Sequence, residues 1–282
     1  MNKPVISIRN LTFTYAGLDK PSIKNVNFNA FQGEFIVLTG PSGCGKTTLC
    51  RCLNGLIPNF YSGEMEGEVY VCGLNTREYS TSELAKHVGF VFQNPENQLF
   101  SLTIERDVAF GLENLGLPKE EIKERIEWAL NIVGISNLRD KAPYELSGGQ
   151  QQKAAIASVL AMKPEVIVLD EPTSFLDPKS ALEILKMIQK LNKQFKITVI
   201  LVEHRLDFAA QLADRILIMN NGEIVLDGGP SKVLTEEAYL LGVGIPKVTF
   251  LFYQLKQEKF NFHKTPVTIE EAAVELRRLL KR

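Results

Sequence analysis

Residues 40–47 read GPSGCGKT, which fits the phosphate-loop pattern G-x-x-x-x-G-K-[ST]. The glycines let successive backbone N–H groups point into one concave nest that holds phosphate oxygens. Lys46 brings a positive charge to the outer phosphates, and the Thr47 hydroxyl can ligate Mg²⁺. The candidate phosphate-binding residues are Gly40, Pro41, Ser42, Gly43, Cys44, Gly45, Lys46, Thr47 and Thr48.

The sequence on either side of this loop supports that interpretation. Residues 35–39 form an apolar, strand-like run, and residues 47–56 have helical character. A strand, a glycine loop and a helix in that order direct a helix N-terminus at a bound phosphate. The alternative is a glycine turn that arose by chance, and the flanking strand and helix count against it.

A second glycine segment, LSGGQ at residues 146–150, precedes another helical run. Exposed N–H groups at a helix N-terminus form an anion site. The alternative is an ordinary helix cap with a glycine turn. The candidate residues of this second phosphate site are Ser147, Gly148, Gly149 and Gln150.

Two carboxylates end the apolar strand VIVLDE at residues 166–171. Ligands of parallel α/β sheets bind beyond the carboxyl ends of the strands. We therefore expect Asp170 near the Mg²⁺ held by Thr47, and Glu171 where it can orient and polarise an attacking water. The alternative is an exposed acidic strand end without a ligand.

Two further polar residues end predicted strands. Gln93 follows the strand at 88–92 and can contact both the Mg²⁺ shell and the water, while His204 follows the strand at 197–202 and can donate to the terminal phosphate. Taken alone, a glutamine at a strand end is nearly uninformative, and a lone histidine is more often a surface or core residue.

Alternating strand-like and helical runs predict an α/β fold: a parallel core with an N-terminal antiparallel portion. The predicted strands cover residues 5–8, 12–15, 26–30, 35–39, 67–72, 88–92, 166–170, 197–202, 216–219 and 223–226. The predicted helices cover residues 105–111, 119–133, 150–162, 179–193 and 206–213. Residues 94–163 are expected to form a helical insert between two core strands.

The tail from residue 238 carries two apolar stripes at helical spacing. The first comprises Val248, Leu251, Phe252 and Leu255, and the second Ile269, Ala272, Ala273, Leu276 and Leu280. Thr268 and Glu271 form a capping box before the second stripe. The two interpretations are a helical hairpin packed on its own domain and a dimerisation element.

Composition limits the possible functions. The chain has 282 residues, is 45% hydrophobic and has a formal net charge of −1, so no global positive field favours nucleic acid. The N-terminal sequence MNKPVISIRN contains no apolar signal segment, and no apolar run approaches the roughly 20 residues that span a bilayer. We expect an intracellular chain that can sit on a membrane protein.

The four cysteines are Cys44, Cys50, Cys52 and Cys72. They lack C-x-x-C spacing and neighbouring histidines, which disfavours a metal site. We expect small buried apolar residues in a reducing compartment; a zinc or redox role is the alternative.

The whole set resembles the ATP-binding cassette ATPases. GPSGCGKT, Gln93, LSGGQ, VIVLDE, SFLD at 174–177 and His204 occur in that family's order, over residues 3–235. The resemblance implies a RecA-like phosphate-loop NTPase core and two chains facing head to tail. ATP then lies between one chain's phosphate loop and the Ser147 and Gly149 of the other.

The same resemblance assigns a role to Tyr15, as the aromatic residue that stacks on adenine. An ordinary sheet residue is the alternative. It also implies Glu171, His204 and Gln93 as catalytic residues, and Thr47, Gln93 and Asp170 as ligands of Mg²⁺. We expect an ATPase domain at 3–237, which includes the helical part at 94–163, and a helical extension at 238–282.

Two segments resemble a narrower group, the ATPases of energy-coupling factor transporters. QNPENQLF at 93–100 and DVAFG at 107–111 carry this resemblance, and the tail is similar to that group's C-terminal dimerisation domain. It implies an importer of a vitamin or transition-metal ion, attached to the cytoplasmic face of the cell membrane. The implied partners are a second ATPase, a transmembrane coupling subunit and a small substrate-binding membrane protein.

The sequence departs from the family pattern at two places. Phe175 replaces a small residue, and Gln151-Gln152-Lys153 replaces a more basic run after LSGGQ. The competing functions are a soluble cassette ATPase acting on nucleic acid or ribosomes, and a regulatory cassette that does not hydrolyse ATP. The net charge of −1 does not favour binding to nucleic acid, as the soluble ATPase would require. Glu171 and His204 argue against a cassette that does not hydrolyse ATP.

Overall fold

A computed structural model describes residues 3–280, so the last two residues of the predicted extension lie outside the described residues. The strands are β1 Ile6–Tyr15, β2 Ile23–Ala30, β3 Phe35–Thr39, β4 Gly63–Val71, β5 Leu74–Asn75, β6 Val88–Val91, β7 Val166–Asp170, β8 Thr198–Val202, β9 Arg215–Asn220 and β10 Glu223–Gly228. The α-helices are α1 Lys46–Leu53, α2 Leu56–Asn59, α3 Thr81–Leu84, α4 Ile104–Asn114, α5 Lys119–Val133, α6 Gly148–Leu160, α7 Pro178–Phe195, α8 Leu206–Ala209, α9 Pro230–Val233, α10 Glu236–Leu240, α11 Lys247–Gln257 and α12 Ile269–Leu280.

The strands form two sheets. An antiparallel sheet has the order β2-β1-β4-β5, and a six-stranded sheet has the order β10-β9-β3-β8-β7-β6. In the larger sheet β9, β3, β8, β7 and β6 are parallel neighbours, and β10 pairs antiparallel with β9. This arrangement confirms the predicted α/β class with an antiparallel N-terminal portion.

Side chains of the buried core strands alternate between the two faces of the larger sheet, and each face packs against a different layer. Every residue of β3, β7 and β8 is buried, as expected for parallel strands covered on both faces. In β3, Phe35 and Val37 face the cluster that includes α4–α7, whereas Ile36 and Leu38 face the cluster shared with the antiparallel sheet. The period-2 geometry of a strand therefore builds two hydrophobic cores at once.

Several predicted elements have other bounds in the structure, and two of the differences have a clear physical reason. The runs at 5–8 and 12–15 are one strand, β1, whose register shifts between Ile8 and Leu11. This irregularity interrupts the apolar alternation and made one strand look like two. The predicted helix at 206–213 ends at Ala209, because the chain turns there to enter β9 at Arg215.

The tail helices α11 and α12 contact each other. The predicted boundary at 237/238 falls inside α10, whose Ala238 is fully buried in the main core; the division into two units stays a prediction. Between residues 3 and 280, no helix combines the length and apolar character needed to cross a membrane.

Candidate active site

The phosphate loop requires glycine at two positions for steric reasons. At Gly40 a Cβ atom would lie 2.1 Å from the carbonyl oxygen of Met219, and at Gly45 it would lie 2.4 Å from that of Ser22. Both glycines also have positive φ, at 146° and 107°. The loop therefore passes close to neighbouring backbone in a conformation that side chains rarely adopt.

Lys46 begins α1, directly after the loop. Its side chain is buried, and its ammonium donates hydrogen bonds to the carbonyl oxygens of Gly40 and Pro41, each at 2.9 Å. The positive charge therefore lies inside the loop, beside the first helical N–H groups. This combination can hold the phosphates of a nucleotide.

Thr47 and Asp170 come together at the carboxyl end of β7. The Thr47 hydroxyl donates to Asp170 Oδ1 at 3.2 Å. Burial raises the pKa of the Asp170 carboxyl, and the hydrogen bond from Thr47 partly offsets that rise. Hydroxyl and carboxylate oxygens are the ligands that Mg²⁺ prefers. Because the two oxygens lie side by side here, these residues fit the predicted metal site.

Glu171 lies at the centre of a polar cluster. Its Oε2 accepts from Gln93 Nε2 at 3.0 Å and from the Ser174 hydroxyl at 2.9 Å, and its Oε1 lies 3.0 Å from His204 Nε2. These residues follow β6, β7 and β8. The parallel register of the three strands thus brings together the polar residues that the sequence placed at separate strand ends.

Three residues support this cluster that were not among the predicted site residues: Thr173, Glu203 and Arg205. Glu203 is almost fully buried and accepts the Thr173 hydroxyl and the backbone N–H groups of His204 and Arg205. Arg205 donates to the carbonyl oxygen of Leu176 at 3.0 Å. Together they tie the loop after β7 to the loop after β8. The only sequence signal was a pair of charged residues flanking His204.

The second glycine segment is an N-terminal helix cap. The Ser147 hydroxyl accepts from the Gln150 N–H at 3.4 Å, and the Gln150 side chain accepts from the Ser147 N–H at 2.9 Å. The helix begins at Gly148, two residues earlier than predicted, because these reciprocal bonds form a capping box. The cap interpretation therefore describes the local geometry.

The cap leaves two glycines without a steric explanation. A Cβ atom on Gly148 would meet only Leu176, at 3.5 Å, and one on Gly149 only Ser180, at 3.6 Å. Both distances are ordinary van der Waals contacts, and neither glycine has positive φ. Packing within this chain therefore does not require glycine at either position.

Tyr15 ends β1 beside α1. Its hydroxyl lies 3.2 Å from Thr48 Oγ1 and accepts from Arg51 at 3.3 Å. Its half-buried ring packs edge-on against Phe13, with 4.9 Å between ring centroids. These contacts fix the ring next to the phosphate-loop helix, and stacking on adenine stays a prediction.

The two predicted phosphate sites are not bonded to each other in a single chain. Within residues 3–280, no hydrogen bond joins residues 40–48 to 147–150. The second site instead borders Gln93 and the exposed Phe175, around a cavity of about 510 Å³.

Comparison with known proteins identifies the family. A family model described as ABC transporter matches residues 23–174. The energy-coupling factor transporter ATP-binding protein EcfA2 of Clostridium tetani is 47% identical over 278 residues, which cover 96% of each chain.

Two solved structures share the fold. The cbiO1 protein from Clostridium perfringens, described as part of the ABC transporter complex cbiONQ, has a TM-score of 0.76 and 33% identity, over 90% of this chain and 100% of its own. An ATP-binding cassette solved as a dimer in a post-hydrolysis state, bound to ADP and Pi, has a TM-score of 0.70 and 33% identity, over 80% of this chain and 98% of its own. The chain described here therefore belongs to the ABC transporter family, as an ATP-binding subunit that hydrolyses ATP.

Proposed function

We propose that this chain is the ATPase of an energy-coupling factor importer, which carries a vitamin or a transition-metal ion across the cytoplasmic membrane. The single observation that carries this proposal is an apolar groove at the two segments that resemble that group. The relationship to the Clostridium tetani protein supports it.

Two aromatic side chains line the groove. Phe100 and Phe110 pack edge to face with 4.9 Å between ring centroids, yet they are 67% and 48% exposed. The groove has a volume of about 660 Å³, and Val159 and Met162 continue its apolar lining. Large exposed apolar residues in one concave surface are typical of a protein-binding site.

Two polar side chains, the buried Asp107 and the half-buried Gln98, hold the groove in shape. Asp107 Oδ1 accepts the backbone N–H groups of Phe100 and Ser101, each at 3.0 Å. Gln98 accepts the N–H of Phe92 at 3.1 Å and donates to the carbonyl oxygen of Phe90 at 3.4 Å. The loop after β6 is therefore fastened both to β6 and to α4, so a partner that moves α4 also moves this loop.

The occupant that we propose is an amphipathic helix of the transmembrane coupling subunit. Its apolar face would cover Phe100 and Phe110, and the chain would then sit on the cytoplasmic face of the membrane as a peripheral subunit. The small substrate-binding membrane protein would attach through the coupling subunit and would determine the cargo.

In the proposed reaction, Lys46 and the loop N–H groups hold the β and γ phosphates, while Thr47, Asp170 and Gln93 hold Mg²⁺. Mg²⁺, when bound, neutralises charge on the phosphate oxygens. Glu171 orients the attacking water and accepts its proton, and His204 donates to the γ-phosphate.

The second phosphate site completes the proposal. Ser147 and Gly149 of a second ATPase chain, identical or different, bind the γ-phosphate from the opposite side. This arrangement explains the glycines at 148 and 149, which packing within one chain does not require. A Cβ atom at either position would lie between the helix N-terminus and the nucleotide. The related cassette solved as a dimer with ADP and Pi supports this arrangement.

The groove proposal is tested by capturing the tagged full-length chain from native membranes and identifying the bound peptides. We expect a multi-spanning membrane protein to co-purify with the wild type, and to be lost when Phe100 and Phe110 are both changed to Ser. Phe31→Ser, at an exposed aromatic outside the groove, is the matched control and should retain it. Basal ATPase activity should be the same in all three.

Capture of the same membrane protein by the groove variant would contradict the groove as the docking site. Co-purification of ribosomal proteins or nucleic acid with wild type and control, in place of a membrane protein, would contradict the importer proposal, because that result favours a soluble cassette ATPase.

A further inference from the structure

A second cluster of metal-ligand side chains lies away from the phosphate loop. Cys72 follows β4, His87 immediately precedes β6, and Glu165 immediately precedes β7. One ligand atom from each residue lies within 4.8 Å of the other two. The cysteine pattern disfavoured a metal site and left a zinc role as the alternative, because the sequence shows no C-x-x-C spacing and no histidine near a cysteine.

The backbone fixes two of these residues as neighbours. Val88 of β6 pairs with Val166 of β7, so His87 and Glu165 stand side by side at the amino ends of parallel strands. The carbonyl oxygen of His87 accepts from the N–H groups of Glu165 and Val166, each at 3.0 Å. His87 Nδ1 lies 3.0 Å from Glu165 Oε1.

Cys72 is held against this pair from the other sheet. Its N–H donates to the carbonyl oxygen of Val5 at 2.7 Å, and its φ of 52° turns the chain sharply after β4. Cys72 is half-buried, whereas Cys44, Cys50 and Cys52 are buried, as the sequence analysis expected. Cys72 packs against the core of the antiparallel sheet, and its thiol sulfur lies within 4.8 Å of the ligand atoms of His87 and Glu165.

The distance between His87 and Glu165 is close to that between two ligands of a tetrahedral metal centre, and the thiol sulfur of Cys72 lies within 4.8 Å of both. Nitrogen and oxygen ligands at about 2.0–2.1 Å from Zn²⁺ lie about 3.3 Å apart, and a thiolate sulfur at about 2.3 Å lies about 3.6 Å from either of them. The His87–Glu165 separation already approaches the first value. The exposed Glu165 side chain and the half-buried Cys72 side chain can rotate, which would bring the thiol sulfur to the ligand distance from the other two atoms.

We propose that Cys72, His87 and Glu165 bind a divalent transition-metal ion of the zinc class. A thiolate, an imidazole and a carboxylate suit Zn²⁺, whereas Mg²⁺ prefers oxygen ligands alone. Three protein ligands leave a fourth position for water.

The site is separate from the catalytic one. Glu165 and Asp170 lie at opposite ends of β7, about 16 Å apart for five residues of extended chain. A bound ion would fasten the antiparallel sheet, through Cys72, to the amino ends of β6 and β7. The inference does not depend on the proposed importer function.

The test uses the untagged full-length chain, stripped of metal and kept reduced, without nucleotide. Zn²⁺ binding is measured in competition with a chromophoric chelator, and Co²⁺ serves as the spectroscopic probe. We expect one Zn²⁺ per chain, a rise in melting temperature with Zn²⁺, and a thiolate-to-Co²⁺ charge-transfer band. Cys72→Ser and His87→Gln should weaken binding by more than the 10- to 100-fold typical of losing a residue outside the first ligand shell.

Two variants keep the test decisive. Glu165→Gln alters an exposed side chain, so it should fold normally and still lose at least about tenfold in affinity. His263→Ala removes an exposed histidine outside the cluster and should bind Zn²⁺ like the wild type. The proposal is overturned if the wild type binds no Zn²⁺, if the Co²⁺ spectrum lacks the thiolate band, or if all variants bind equally.

Discussion

Glu171 and His204 contact each other across the ends of adjacent strands, with 3.0 Å between Oε1 and Nε2. The second oxygen of Glu171 is also engaged, by Gln93 and Ser174. His204 Nε2 cannot serve Glu171 and a phosphate oxygen at the same time. ATP binding should therefore separate these two residues and free a carboxylate oxygen for the attacking water.

Replacing Glu171 with Gln should stop hydrolysis while leaving ATP binding intact. The amide cannot accept the proton of water as a carboxylate does, so we expect single-turnover ATPase activity to fall by roughly 100- to 10,000-fold. The variant should accumulate as an ATP-bound dimer, measured by light scattering at saturating Mg-ATP. Glu68→Gln, at an exposed glutamate on β4, is the control.

This prediction fails if the Glu171 variant turns over ATP like the wild type, or stays monomeric both alone and in the assembled complex. The complex has to be included because the second ATPase chain can be a different protein.

Gly149→Ala separates a steric role within the chain from a role toward the partner. The new Cβ atom would have only an ordinary contact with Ser180 at 3.6 Å, so the variant should fold at least as stably as the wild type. It should still bind ATP at its own phosphate loop, yet lose at least about tenfold in ATPase activity, because the partner's γ-phosphate is kept away. Thermal melting, nucleotide titration and turnover together test this.

Gly40→Ala is the contrasting control for that experiment. Its Cβ atom would lie 2.1 Å from the carbonyl oxygen of Met219, so we expect a lower melting temperature. Full ATPase activity in the Gly149 variant would contradict the assignment of residues 147–150 as a second phosphate site.

Asp170→Asn should make the nucleotide-free chain more stable and less active. Burial raises the pKa of Asp170, so the charged carboxylate is disfavoured in the folded state. The stability that this group contributes is greatest when it is protonated, and it is lost as the pH rises through the folded pKa. Asparagine stays neutral, so its melting temperature at pH 7, without metal, should exceed that of the wild type.

The advantage of the Asp170 variant should shrink at acidic pH, where the wild-type carboxyl becomes protonated. Mg²⁺-dependent turnover should fall by at least about 100-fold. Asp177→Asn is a control of opposite sign: hydrogen bonds from Ser180 and Lys179 lower the pKa of Asp177, so neutralising it should not stabilise the chain. If the Asp170 variant is no more stable than the wild type at pH 7, burial of the charged carboxylate does not destabilise the chain and the prediction is wrong.

The tail prediction concerns exposed apolar side chains on α12. Val274 is 64% exposed and Leu280 86%, although Ala272 and Phe252 pack inside the hairpin. If the exposed residues form a subunit contact, the chain should be dimeric without nucleotide. Changing both to Glu should then give monomers that associate only with ATP, as measured by sedimentation, because two charges would be buried without partners.

Lys193→Glu, at an exposed lysine on α7, is the control for the tail and should stay dimeric. Point changes are preferable to removal of 238–282, since Ala238 and Val243 belong to the main core. Monomeric wild type, or a dimeric double variant, would mean that the tail packs only on its own domain.

The sequence by itself determined the phosphate loop and the type of fold. In residues 35–53, the strand, the glycines and the helix are contiguous, so backbone geometry alone fixes where Lys46 and Thr47 lie. Buried runs such as β7 were equally clear, because every residue of a strand covered on both faces is apolar until its polar end. The register irregularity in β1 was not visible, since it breaks the alternation on which strand prediction depends.

Only the tertiary structure decided which distant residues meet. Gln93, Glu171 and His204 share one cluster because three parallel strands end at the same edge, and buried Glu203 joins two of the following loops. At the opposite edge, strand pairing brings His87 to Glu165. These contacts join segments far apart in the chain, so they depend on strand order and register, which local sequence patterns do not encode.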